Sequence, residues 1–209
     1  MARKMLKSKL EEIGRKTLER SFNLFEGSGV GKIPGVFRMF LYLKSIFFKS
    51  AIVDGQILYL GNSGPKTSWE LYYEGVTEPH VTALFCSLIK EGMTVIDVGA
   101  FVGYYTLLAA KRVGDNGKVF AFEPAPSPFK LLLKNIEING WGNIKPFQLA
   151  VSDKSEKRKF NIKALSGSSF AITKNIVDTI TVNTISLDSF LQTDPDMVKI
   201  DVEGGVRSA

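Results

Sequence analysis

The sequence predicts an α/β fold: a parallel β-sheet covered by helices, with a basic helical extension ahead of it. Three observations predict this. From about residue 94 to residue 201, short runs of β-branched and aromatic residues alternate with longer segments of helical spacing, the pattern of strands joined by right-handed helical crossovers. A turn bounded by Gly99 and Gly103 separates one such run from the helix after it. Of the 209 residues, 44% are hydrophobic and 23% charged, an ordinary balance for a chain with a buried core.

Residues 1–50 read as the extension, in two helical pieces. The first, about residues 4–25, carries Leu6, Leu10, Ile13, Leu18, Phe22 and Phe25, and Gly27, Gly29 and Gly31 end it. The second, about residues 35–50, stacks Arg38, Tyr42, Ser45 and Lys49 on one face and is otherwise apolar apart from Lys44. So broad an apolar face packs on the body or lies in a membrane interface, and packing is the commoner use. The glycine-rich run between the pieces suggests a phosphate loop, but Glu26 stands where the first glycine belongs and Ile33 where the metal-binding hydroxyl belongs. It reads as a connector.

Residues 51–209 form the body. A strand pair is expected at 51–60. Thr77, Glu78 and Pro79 open a helix, with Thr77 as its capping hydroxyl and Val81, Leu84, Phe85 and Leu88 as its buried stripe. Residues 94–98 make a buried strand, residues 104–112 a helix stopped by Gly114, and residues 119–123 a second strand. Ser127 is expected to cap the next helix, with Pro128 at its start and Asn139 and Gly140 at its end. A third strand at 144–150 carries Pro146 and so belongs at a sheet edge. A hairpin-like excursion at 160–184 and a short helix at 187–191 precede a fourth core strand at 197–201.

Composition excludes several functions. Cys86 and His80 are the sole residues of their kinds, which excludes a disulfide framework, a Cys-rich zinc site and any paired-histidine mechanism. No stretch matches a membrane span or a secretory signal, so a cytoplasmic setting is expected. The net charge of +6 is uneven: residues 1–50 hold 11 basic and 4 acidic side chains, and the other 159 hold 16 and 17. Residues 35–50 are therefore the candidate for peripheral contact with an anionic membrane. Nucleic acid is not expected as a partner, because the body lacks a basic face and aromatics interleaved with Lys and Arg.

The chemistry concentrates in Asp97, Gly99, Ala100 and Gly103, followed 20 residues later by Glu123. Gly99 and Gly103 let the backbone approach a ligand, and the helix beginning at Tyr104 offers unpaired N–H groups. Glu123 ends the neighbouring strand, where a carboxylate accepts both ribose hydroxyls. The order strand, turn, helix, strand, acid points to an adenosine-containing ligand. A dinucleotide site has a middle glycine that makes room for pyrophosphate, and here it is absent. Asp97 would repel pyrophosphate but suits the ammonium of a methionine moiety, which favours S-adenosylmethionine over NAD.

At this level of detail the sequence resembles the FkbM family of S-adenosylmethionine-dependent methyltransferases. The resemblance rests on Glu78-Pro79, VIDVGAFVGYYT at 95–106, FAFEP at 120–124, LAVSDK at 149–154, ISLDSFL at 185–191 and KIDVEG at 199–204. It implies a Rossmann-like class I methyltransferase sheet with its first four strands in the order 3-2-1-4, and mostly O-methylation of a small molecule, sugar or glycolipid. By that resemblance Asp97, Gly99, Ala100 and Gly103 hold the methionine part, Glu123 the ribose, and Ser152 and Asp153 the adenine edge. The family sheet continues past the fourth strand. Residues 51–209 are thus expected to be the cofactor-binding, N-terminal part of a longer enzyme, truncated after that strand and inactive alone.

Asp201 ends the fourth strand and is a candidate base, metal ligand or acceptor-orienting group, with Glu203 beside it. Whether a metal takes part is left open. Glu78 is a candidate for the methionine side of the cofactor, and Tyr104 for covering it. The readings that compete are a nicotinamide oxidoreductase on a related sheet and a non-catalytic membrane- or nucleic-acid-associated module.

Overall fold

The computed structural model describes residues 50–61, 71, 75–163, 168–169, 176–191 and 193–202. The two extension helices, the glycine-rich connector and Glu203 lie outside the described residues.

The core is a four-stranded parallel sheet of β3 (Thr94–Val98), β4 (Lys118–Phe122), β5 (Ile144–Phe147) and β10 (Met197–Ile200), ordered β10-β3-β4-β5. This is the order expected from the resemblance. Val95, Ile96, Val119, Ala121 and Phe122 have no exposed surface, as strands covered on both faces require. Pro146 sits on β5, which among the described residues pairs only with β4; an edge strand tolerates its missing N–H. At the other side, β10 pairs only with β3 among the described residues, and Val198 and Ile200 are exposed.

The helices whose full span is described are α1 (Pro79–Leu88), α2 (Tyr104–Val113), α3 (Pro126–Asn139) and α4 (Leu187–Phe190). Three local expectations are corrected. Thr77 does not cap α1. The cap position is Glu78, in a left-handed conformation at φ 45°, with no side-chain cap. Of the expected apolar stripe of α1 only Phe85 is buried: Val81, Leu84 and Leu88 are exposed, and Thr82 is buried instead. The inward face is set by the tyrosine hydroxyls of α2, because Thr82 Oγ1 lies 3.2 Å from Tyr104 Oη. Finally, α3 starts at Pro126 with Ala125 at its cap, two residues before the expected start. Ser127 does not cap it, because it already stands inside the first turn, and no side chain caps the helix at Ala125.

Two smaller sheets complete the fold. The third expected strand divides: β6 (Ala150–Val151) leaves the core sheet and runs parallel to β9 (Ile176–Ile185). Between them β7 (Lys157–Lys163) pairs antiparallel with β9 and with β8 (Ser168–Ser169), which is the expected hairpin-like excursion. The other sheet is the hairpin β1 (Ser50–Val53) and β2 (Gln56–Tyr59).

That hairpin is fastened by side-chain amides. Asn135 accepts the Tyr59 N–H at 2.7 Å and donates to the Tyr59 carbonyl at 2.9 Å. One helical turn on, Asn139 repeats this with Ile57, at 2.9 and 2.7 Å. The two amides act as a substitute strand along β2, and Asn135 satisfies partly buried backbone groups that would otherwise lack a partner. Gln56 adds a bond to the Leu107 carbonyl and accepts the Trp141 indole N–H at 2.6 Å.

Candidate functional site

The turn from β3 to α2 is the centre of the site. Gly99 and Gly103 have φ of +78° and +96°, which L side chains rarely adopt. A Cβ at Gly99 would strike the Asp201 carbonyl, and one at Gly103 would stand 2.7 Å from Leu132 Cδ1. Phe101 between them is also left-handed, at φ 51°. Such a strained non-glycine residue persists only where neighbours hold it, and here they do. The Phe101 N–H donates to Glu123 Oε2 at 2.9 Å, and the Asn135 amide donates to the Val102 carbonyl at 2.8 Å. Gly99 and Ala100 both donate to the Phe122 carbonyl, at 2.9 and 3.0 Å.

Glu123 lies just past the end of β4, only 6% exposed. Its two oxygens take the N–H groups of Ala125 and Phe101. Burial pushes its carboxyl up to about 7, and those two donors oppose the rise only in part. Each oxygen retains a second lone pair for a ligand hydroxyl.

Asp97 has no exposed surface. Its Oδ2 accepts the Thr106 hydroxyl at 2.6 Å, and its Oδ1 lies 3.1 Å from Lys199 Nζ. That contact is an ion pair without an aligned hydrogen bond, since Oδ1 has no hydrogen-bond partner. The same Nζ lies 3.6 Å from Asp201 Oδ2, and the Asp201 side chain is 61% exposed. Asp97 and Asp201 are thus brought together around one cation.

Glu78 Oε2 accepts the Tyr105 hydroxyl at 3.3 Å, and burial pushes that phenol up to about 12. Tyr104 turns inward: it is 6% exposed, its hydroxyl accepts the Thr77 N–H at 3.3 Å, and burial raises its pKa. Ser152 and Asp153 stand in the turn after β6 as a separate polar group. Ser152 Oγ donates to Asp153 Oδ1 at 2.9 Å and accepts from Arg158 at 2.9 Å, and the Ser152 bond holds the Asp153 carboxyl below its ordinary value. Among the described residues no three His, Cys, Asp or Glu side chains cluster to hold a metal.

The chain matches the methyltransferase FkbM domain over residues 97–205, slightly more than half its length. It belongs to the FkbM methyltransferase family. The matched region begins at Asp97 and takes in Glu123, Lys199 and Asp201. The chain is also 36% identical over 75 residues to a protein-L-isoaspartate O-methyltransferase of Methanococcoides burtonii, covering 35% of this chain and 37% of that protein. A second such enzyme, from Archaeoglobus fulgidus, is 31% identical over 75 residues, covering 35% and 34%. The chain therefore spans little more than a third of the curated relatives it matches. Among solved structures, an O-methyltransferase from Thermotoga maritima aligns at 28% identity and TM-score 0.33, covering 35% of this chain and 29% of that one. TYW2 from P. horikoshii, in complex with MeSAdo, aligns at 20% identity and TM-score 0.37, covering 48% and 35%.

Two residues that hold the candidate site were not singled out in the sequence. Lys199 was readable as an inward position of a core strand two residues before Asp201. Asn135 gave no signal, since a lone asparagine inside a helix ordinarily reads as a solvent-facing residue.

Proposed function

We propose that the chain carries the cofactor-binding part of an S-adenosylmethionine-dependent methyltransferase. The acceptor we favour is a hydroxyl of a small molecule, sugar or glycolipid. The observation that carries the cofactor reading is Glu123: a buried carboxylate at a strand end, bonded to the glycine turn and keeping lone pairs for a diol.

Bound S-adenosylmethionine supplies an electrophilic methyl group on a sulfonium. The residues do the rest. Glu123 accepts the ribose hydroxyls, and the turn from Gly99 to Gly103 lies against the methionine part. Asp201, exposed at the end of β10, takes the proton that a hydroxyl acceptor must lose. Ser152 and Asp153 stand as candidates for the adenine edge.

A second acceptor is favoured by the relatives' names. A protein carboxylate is already ionised and needs no base, so the two readings separate chemically. Isotopically labelled S-adenosylmethionine, offered with glycans, glycolipids and an isoaspartyl peptide, tests them. Label in an alkali-stable ether is expected. Label in an alkali-labile methyl ester would overturn the hydroxyl reading in favour of the carboxylate one.

A further inference from the structure

Lys199 is the cation between the Asp97 and Asp201 carboxylates, 3.1 and 3.6 Å from them. Lys199 of β10 stands in register with Asp97 of β3. Asp97 has no exposed surface, whereas 14% of the Lys199 side chain is exposed. Lys199 is thus the partly exposed member of the Asp97 pair, with the exposed Asp201 carboxylate on its solvent side. Lys199 carries three N–H donors, and its contact with Asp97 Oδ1 is not an aligned hydrogen bond. The pair thus keeps donor capacity for a ligand.

The surroundings add a second charge. The Lys199 Nζ lies over the Tyr105 ring, 4.6 Å from its centroid, and the hydroxyl of that tyrosine donates to Glu78. A cation and a carboxylate therefore both touch one tyrosine, an arrangement complementary to an α-amino-acid zwitterion. Lys199 is also near enough to Glu123 to oppose the burial that raises its carboxyl, so the cation and the ribose acid act in one locality.

We propose that Lys199 receives the α-carboxylate of the amino-acid end of the cofactor, with Asp97 as its buried counter-ion and Glu78 on the ammonium side. Asp97 then acts through Lys199, and its expected direct contact with the methionine ammonium is replaced by one from Glu78. The proposal rests on the nucleoside reading of the Glu123 site.

Isothermal titration of the 209-residue chain with three ligands tests it without catalysis. They are S-adenosylhomocysteine, its decarboxylated form 5′-(3-aminopropylthio)-5′-deoxyadenosine, and 5′-methylthioadenosine, which lacks the amino-acid end. The wild type is expected to prefer S-adenosylhomocysteine to its decarboxylated form by about 10- to 100-fold, the range of a charge-assisted hydrogen bond. Lys199→Met should abolish that preference while still binding 5′-methylthioadenosine measurably at pH 8, which also shows that the variant is folded. A wild type indifferent to the carboxylate overturns the proposal, as does a variant that keeps the preference. If Lys199→Met does not fold, the wild-type comparison decides alone. Failure of the wild type to bind even 5′-methylthioadenosine would instead defeat the nucleoside reading, and the proposal with it.

Discussion

Glu123 gives the site a pH dependence whose sign can be worked out. Its carboxyl is raised from an ordinary 4.5 to about 7, chiefly by burial. A ribose diol donates to the ionised form, so binding must remove the proton wherever Glu123 holds one. For a single group with a midpoint near 7, about nine in ten molecules are ionised at pH 8 and about one in ten at pH 6. Affinity for S-adenosylhomocysteine should thus fall about tenfold between those values, about 1.4 kcal/mol. Calorimetry near pH 7, in buffers of different ionisation enthalpy, should find roughly half a proton released per ligand bound. Stability of the free chain moves the other way. Because the folded value is raised, this group's contribution is fully present below about pH 4.5 and is lost as pH rises through about 7. Glu123→Gln should flatten the affinity profile and remove this part of the stability profile. An affinity unchanged from pH 8 to 6, or one equally steep in Glu123→Gln, would refute the reasoning.

Glu123→Ala should cost about 1.5–3 kcal/mol of S-adenosylhomocysteine binding, the range for a charge-assisted pair; titration at pH 8 that finds wild-type affinity would remove Glu123 from the site. Asp201→Asn should lower turnover far more than cofactor affinity, because a base acts in the transition state. Insensitivity of the wild type to EDTA would favour the base over a metal ligand, and equal losses of turnover and affinity would demote Asp201 to a binding or structural role. Asn135→Leu leaves the Tyr59 N–H and the Tyr59 and Val102 carbonyls without their partner, so urea unfolding should show a loss of about 2–4 kcal/mol. Asn139→Ala, whose hairpin bonds are exposed, should cost about 1 kcal/mol or less, and equal costs for the two would argue against the buried-amide account.

The parts of this protein set by periodicity and by glycine were legible in the sequence. The four core strands, the β3–α2 turn and the Glu123 position follow from patterns local to the chain. Errors arose where a local pattern competes with packing. Ser127 reads as the cap of α3, but the helix begins at Pro126 and Ser127 stands inside its first turn. Val81, Leu84 and Leu88 read as part of a core stripe, but Thr82 faces the tyrosines of α2 and turns those three outward. Residues 144–150 read as one strand, whereas the chain changes sheets after Phe147. The last two depend on partners far away in sequence, which a local pattern does not contain.

The approach to α3 and the candidate ligand site share one carboxylate. Glu123 takes the Ala125 N–H just ahead of α3 and holds the strained turn through Phe101. Asn135, on that helix, holds the next carbonyl of the turn and clamps the hairpin. The loop that a nucleoside would touch is therefore braced from β4, from α3 and, through Asn135, from β2. Phe101 keeps its left-handed conformation without being glycine because two neighbouring peptide groups are tied to residues that do not move with the loop. Protonating Glu123 removes the charge from one of these ties while leaving Asn135 in place. Its first effect should therefore fall on ligand affinity rather than on the fold.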